Sequence, residues 1–294
     1  MTTPSTTDDR GAASRDRTRR SLLAAAGAAV AGAASCCLGG GGGGDDDRSP
    51  ANDDLGPGTV RGTRFSRVAG ADGYRLSYGR SIGGERRTLE VTVSAERYRR
   101  SRRADRSLAG TFDAALSDPV ADDLAASLGR ALSAVGVDEP LARIRAAVDV
   151  VRAMPYESDA DSAGRPGYPR HVAETLVDHV GDCEDYAAVL AGVLSSPPFD
   201  LDPALVLLPG HAGVGVDPDA VGGTALPTTR VGDREYLYLD ATYDVGLGRF
   251  PRRHDAGVVA VRHDGWRPGD LDAVAAQVER TAEAYRPFLR PDRR

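Results

Sequence analysis

The sequence predicts an α+β fold in which one helix packs across an antiparallel sheet, and three observations predict it. Residues 74–78, 89–93 and 235–242 alternate apolar and polar side chains, and 211–216 reads as a further strand, so strands precede and follow a helical stretch. Between them, apolar residues recur at helical spacing: Val120, Leu124, Leu128, Leu132 and Val135, then Leu141, Ile144, Val148 and Val151. The third observation is Gly181-Asp182-Cys183-Glu184-Asp185, which reads as a turn glycine, an N-cap and an acidic first turn. It runs into a helix striped by Tyr186, Val189, Leu190, Val193 and Leu194.

Taken in order, residues 1–35 read as an export signal outside the fold. Arg15, Arg17, Arg19 and Arg20 form its basic region, and Thr18-Arg19-Arg20-Ser21-Leu22-Leu23 resembles a twin-arginine signal. The apolar run 22–34 is shorter than the roughly 20 residues a membrane span needs. Ala33-Ala34-Ser35-Cys36 resembles a lipobox with Cys36 as the lipidated residue, and Cys37 competes for that role. Residues 36–57, rich in Gly and Asp, make a flexible tether. The expectation is an exported protein, lipid-anchored to the outer face of the cell membrane.

The hairpin strands around Gly83-Gly84 and the first helical stripe fill an N-terminal part, 58–135. Within it Arg97, Arg99, Arg100, Arg102, Arg103 and Arg106 read as a solvated face, with anionic head groups or an acidic substrate as the alternative. A catalytic core spans 136–268. It holds the second stripe, a loop at 158–170, a short helix at 172–180, the cysteine helix, an apolar strand at 204–208 and the strands at 211–216 and 235–242. The connection 217–234 is long for a hairpin and reads as either a lid hinged at Gly222-Gly223 or a surface insertion. Residues 269–294 carry an amphipathic helix and a tail.

The chain of 294 residues has a formal net charge of −6, which argues against a nucleic-acid partner. All its basic residues are Arg, its acids are mostly Asp, and aromatics are 5% of the chain, a composition of halophilic, haloarchaeal-type proteins. With Cys36 and Cys37 in the leader, Cys183 is the only cysteine of the folded part, and a single cysteine in an exported protein suggests a reactive thiol. Its place in the first helical turn favours the thiolate, through unsatisfied N–H groups and the helix dipole. The plain alternative is a small buried residue.

A thiolate nucleophile needs a base, and the base needs an orienting acceptor. His211 opens one strand and Asp240 ends the next, so antiparallel pairing brings them side by side. Singly, His211 reads as a turn histidine and Asp240 as a strand-end cap; together with Cys183 they form a Cys-His-Asp constellation.

Gly181-Asp182-Cys183-Glu184-Asp185, Gly210-His211-Ala212 and Tyr238-Leu239-Asp240-Ala241-Thr242, in that order, resemble the transglutaminase-like superfamily of papain-like fold. The resemblance covers about 140–250 and extends loosely over 74–140. It implies that Cys183, His211 and Asp240 carry the catalytic triad of a cysteine protease, amidase or acyltransferase acting on a protein or peptide substrate, with hydrolysis favoured over cross-linking. No cofactor is implied. No metal is expected either, because no pair of histidines has metal spacing and Cys183 has no cysteine partner. One departure is Gly213, where many members carry Trp, so a wall of the substrate cleft must come from elsewhere. His171 and His179 read as surface residues, and His254 and His263 as parts of Arg/Asp-rich loops. The alternative function is a non-catalytic binding or scaffold module at the cell surface.

Overall fold

The structure, a computed structural model, describes residues 60–255 and 257–269. The export signal, the tether, Cys36 and the helix expected near the C-terminus lie outside them. The described chain begins with an antiparallel meander, β1 (Val60–Gly70), β2 (Gly73–Ile82) and β3 (Glu85–Ser94), paired in that order. Leu76, Tyr78 and Ile82 from β2 and Leu89, Val91 and Val93 from β3 point into the core, as period-two alternation requires. The hairpin is longer than its apolar runs, with its turn at Gly83-Gly84. β1 was not anticipated, because Arg61, Arg64, Ser66 and Arg67 interrupt any apolar alternation.

Seven helices follow: α1 (Ala95–Ser101), α2 (Leu108–Ala115), α3 (Pro119–Ser133), α4 (Pro140–Arg152), α5 (Asp159–Ser162), α6 (Val172–Asp178) and α7 (Cys183–Ser195). Their starts are chemically specified. Ser94, Ser107, Asp118 and Glu139 accept first-turn N–H groups of α1 to α4, and Pro leads α3 and α4. α7 is buried from Cys183 to Leu194 and packs against α2, α3, α4 and α6. Each fully buried Val or Leu on it contributes about 1.5–3 kcal/mol, so α7 is the axis of the core.

On its remaining side α7 meets the second sheet: β4 (Ala204–Leu208), β5 (His211–Val216), β6 (Thr229–Val231), β7 (Arg234–Leu239), β8 (Ala260–Arg262) and β9 (Trp266–Pro268). Its strands run in the order β6-β7-β5-β4-β8-β9, and every pairing is antiparallel. Strands, then helices, then strands make the fold α+β, with the cysteine helix on an antiparallel sheet. The two faces of β5 and β7 differ. Ala212, Val214, Val216, Leu237 and Leu239 join the core with α7, whereas Tyr236 and Tyr238 on the opposite face join a smaller cluster with Val206, Val258 and Val261.

Three sequence readings change. The connection 217–234 is not a bare loop: Asp219–Val221 forms a 3-10 turn with Val221 buried, and β6 adds an edge strand. His179 is half-buried, with φ 57°, and stacks on Phe65 at 3.6 Å between ring centroids. The arginine run is not simply a solvated face. Arg102 reaches Asp178 (3.4 Å), and Arg106 pairs with fully buried Glu174 (2.9 Å) while stacking over Tyr168.

Candidate active site

The turn that carries Cys183 is built by close packing. A Cβ at Gly181 would lie 2.8 Å from Asp185 Cβ and 3.1 Å from the Tyr186 ring, so only glycine lets the chain enter α7 at this angle. Asp182 caps the helix in a reciprocal box: its side chain accepts from the Asp185 N–H, and its own N–H donates to Asp185 Oδ2 (3.4 Å). Cys183 is therefore the first helical residue. It is 7% exposed, and its thiol donates to Glu184 Oε2 (3.2 Å). The segment after α4 straps this turn in place. Tyr156 bridges to Gly181, the Glu157 N–H donates to Gly181 O (3.0 Å), and Tyr186 Oη donates to Pro155 O (2.6 Å).

Around the turn lie four buried carboxyls, those of Asp159, Asp182, Glu184 and Asp185, and two of them bond the guanidinium of Arg170. Arg170 donates from its backbone N–H to Asp185 Oδ1 (2.6 Å) and from Nη1 to Asp185 Oδ2 (2.9 Å) and Asp159 Oδ1 (3.1 Å). Burial first, and the repulsion of neighbouring acids second, push the carboxyl of Asp185 well above its usual range despite Arg170. Asp182 is pushed up by burial and by Glu184. Glu184 is pushed up to about 7, chiefly by burial, with Asp185 adding to it. Asp182 Oδ1 and Glu184 Oε1 are buried without a hydrogen-bond partner, which a proton held between the two carboxyls would satisfy. These acids oppose the first-turn N–H groups and the helix dipole that the sequence offers to a thiolate. Burial raises the carboxyls of Asp182 and Glu184, which weakens the opposition of these first-turn acids to a thiolate.

The donor atoms of Asp182, Cys183 and Glu184 lie within 4.8 Å of one another, as do those of Asp159, Asp182 and Asp185. Among the described residues this turn is where side chains could converge on a cation. In the second set, Arg170 already supplies positive charge.

His211 and Asp240, expected side by side, meet directly: His211 Nε2 lies 2.7 Å from Asp240 Oδ2, with both side chains buried. Pairing of Val214 with Leu239 sets that register. Asp240 Oδ1 accepts from the Thr242 and Tyr243 N–H groups (2.8 Å each), and Oδ2 also accepts from Tyr238 Oη (2.9 Å). Burial alone would raise this acid. The bond and charge of His211, together with the two amides, outweigh it and hold Asp240 below the usual carboxylate range. An ionised Asp240 only accepts, so Nε2 carries the imidazole proton and Nδ1 is left with the lone pair.

Tyr238 links the two halves of the site. Burial first, then the charge and hydrogen bond of Asp240, then the charge of Cys183 raise its phenol well above the usual value, so it remains a donor. Its ring fills the space that Gly213 leaves open: a Cβ there would fall 2.5 Å from Tyr238 Oη. A side chain at 213 would displace the phenol from Asp240. Period two along β7 places Tyr238 on the face of Asp240, a signal that was present in the sequence.

Two further residues could not have been found that way. His254, set aside as part of a loop, stacks on His211 (4.8 Å, 22°) and bonds through Nδ1 to Pro209 O (2.7 Å). Burial, more than the nearby charge of His211, lowers its pKa. Tyr243 meets His211 edge-on at 5.1 Å. Both come from irregular segments whose course no periodicity sets. His211 and Asp240 are thus brought into direct contact, and the charge of Cys183 acts on Tyr238, which bonds Asp240; Cys36 lies outside the described residues. The chain matches no protein-family model, no curated protein and no solved structure.

Proposed function

We propose that the protein is a membrane-anchored, extracytoplasmic, transglutaminase-like cysteine enzyme of papain-like fold that cleaves amide bonds by acyl transfer through Cys183. The observation that carries this reading is the buried 2.7 Å bond between His211 Nε2 and Asp240 Oδ2, with His211 opening β5, a strand against which the helix of Cys183 packs.

In the proposed reaction the Cys183 thiol passes its proton to His211 Nδ1, and the thiolate attacks the carbonyl carbon of the substrate amide. Asp240 accepts from Nε2–H throughout, fixing the tautomer and stabilising the imidazolium. N–H groups of the first turn of α7 would stabilise the oxyanion. Its collapse breaks the C–N bond, His211 returns the proton to the departing nitrogen, and the acyl group stays on Sγ as a thioester. Water, deprotonated by His211, then attacks the thioester, breaks the C–S bond and restores the thiol. Hydrolysis is favoured over cross-linking, because water is the default acceptor of an exposed thioester.

The competing reading, a non-catalytic binding or scaffold module, draws on one observation: the thiol proton is held toward Glu184. Reaction with p-nitrophenyl acetate separates the two. The enzyme reading expects a burst of p-nitrophenolate, one acetyl group mapped to Cys183, and subsequent turnover, all lost in Cys183→Ala. Absence of acetyl-Cys183 in the wild type contradicts it and favours the module. The anchor is tested separately by fractionation: the protein with both Cys36→Ser and Cys37→Ser is expected to leave the membrane fraction, and unchanged membrane association contradicts the anchor.

A further inference from the structure

Large apolar side chains among the described residues are buried or half-buried with few exceptions. Among the described residues, the exposed large ones are Val68 (63%), Tyr156 (47%) and Tyr243 (36%). Two of the three adjoin the candidate site, one beside the turn of Cys183 and one beside His211. Tyr156 belongs to the nucleophile side: its backbone bridges to Gly181, and its ring meets that of Tyr186 edge-on at 6.3 Å. Tyr243 belongs to the base side, edge-on to His211 at 5.1 Å. Both are held rather than loose. Arg152, four residues before Tyr156, donates through Nη1 to Tyr243 O (3.3 Å) and pairs through Nη2 with Asp244 (3.3 Å), tying the two flanks together. Gly213 is filled by Tyr238 and offers no wall of its own.

We infer that Tyr156 and Tyr243 are the two walls of the acyl-donor site, and that they select a substrate with an aromatic or large aliphatic side chain beside the scissile carbonyl. An exposed tyrosine on a fixed backbone presents a large apolar face at little entropic cost, and ordering the two flanks in advance lowers the cost of binding. This inference rests on the cysteine reading given above, and its test separates the two. The test compares the second-order rates at which iodoacetamide and N-benzyl iodoacetamide alkylate Cys183.

With the walls in place, the benzyl reagent reacts about tenfold faster than iodoacetamide, a difference worth ~1.4 kcal/mol of ring burial. Tyr156→Ala and Tyr243→Ala each reduce that ratio to about twofold or less, Tyr156→Phe and Tyr243→Phe preserve it, and Val68→Ala leaves it unchanged. A ratio near one in the wild type, or a high ratio that survives both alanine variants, overturns the walls and leaves the cysteine chemistry standing. If neither reagent modifies Cys183, the cysteine chemistry fails, and binding of N-benzylacetamide to Cys183→Ala by ligand-observed NMR judges the walls alone. Loss of that binding on removing either tyrosine ring supports them; no binding, or binding indifferent to both rings, overturns them.

Discussion

Two buried acidic centres flank the thiol, and they answer burial in opposite ways. Asp240 is almost inaccessible to solvent, yet its carboxyl lies below the usual range, because His211, two backbone amides and Tyr238 all donate to it. Asp182 and Glu184 are as enclosed, yet their carboxyls are pushed up, because their neighbours are other acids and the single guanidinium of Arg170 serves Asp159 and Asp185. Burial penalises the charged form in both places; the donors present decide the outcome. One molecule thereby holds a carboxyl of lowered pKa on its histidine and carboxyls of raised pKa beside its cysteine. A thiolate–imidazolium pair needs both conditions, since negative charge helps at the imidazole and harms at the thiolate.

The comparison breaks most severely at Asp240. Asp240→Asn replaces an acceptor-only group with one that must donate from one end. The imidazole loses its fixed tautomer, and turnover of any acyl donor is expected to fall by roughly 10³-fold or more. Urea unfolding of the same variant should show a loss of about 1–3 kcal/mol, because buried donors are left without an acceptor. The pH dependence has a definite sign. A carboxyl lowered in the folded state contributes stability that is present above its unfolded pKa near 3.8 and is lost as pH falls through its still lower folded value. Wild type should therefore lose stability in acid more steeply than Asp240→Asn. Parallel acid profiles for the two proteins contradict the assignment.

Glu184 gives the opposite sign. Its carboxyl ionises near 4.5 when unfolded and near 7 when folded, so between those values the folded protein holds more protons and loses stability as pH rises. Glu184→Gln keeps the shape and removes the proton. Between pH 5 and pH 8 the wild type should lose about 1–3 kcal/mol more stability than the variant, measured by chemical unfolding at both values. An identical loss in both proteins places the raised carboxyl elsewhere in the cluster.

How much of this was legible beforehand follows from the kind of interaction. The start of α7 was readable, because Gly181, Asp182 and Asp185 act on one another within a single turn. The meeting of His211 and Asp240 was readable too, because alternation and antiparallel pairing fix strand-end neighbours. The fate of the carboxyls was not, since Arg170 reaches both Asp185 and Asp159 from an irregular segment. His254 escaped for the same reason: it stacks on a residue 43 positions earlier, from an irregular stretch. β1 escaped because its arginines hide any strand pattern, and the fourth donor to Asp240, Tyr238, was read only as part of a strand.

That fourth donor gives the smallest effect. Tyr238→Phe keeps the ring over Gly213 and removes one of four hydrogen bonds to Asp240, leaving His211 and the two amides in place. Turnover should fall only a few-fold, with a stability loss of about 0.5–1.5 kcal/mol in urea unfolding. A loss as large as that of Asp240→Asn would mean that the phenol, rather than the histidine and the amides, sets the charge of the acid.

The central claim is that His211, held by Asp240, draws the proton from Cys183. Its most direct test is the rate of iodoacetamide alkylation of Cys183 at pH 6 and at pH 9.5, in wild type and in His211→Ala. An ordinary thiol ionises near 8.5 and reacts slowly at pH 6. Wild type is predicted to react at least about tenfold faster than His211→Ala at pH 6, with the two rates converging at pH 9.5. Equal rates at pH 6 would contradict the claim.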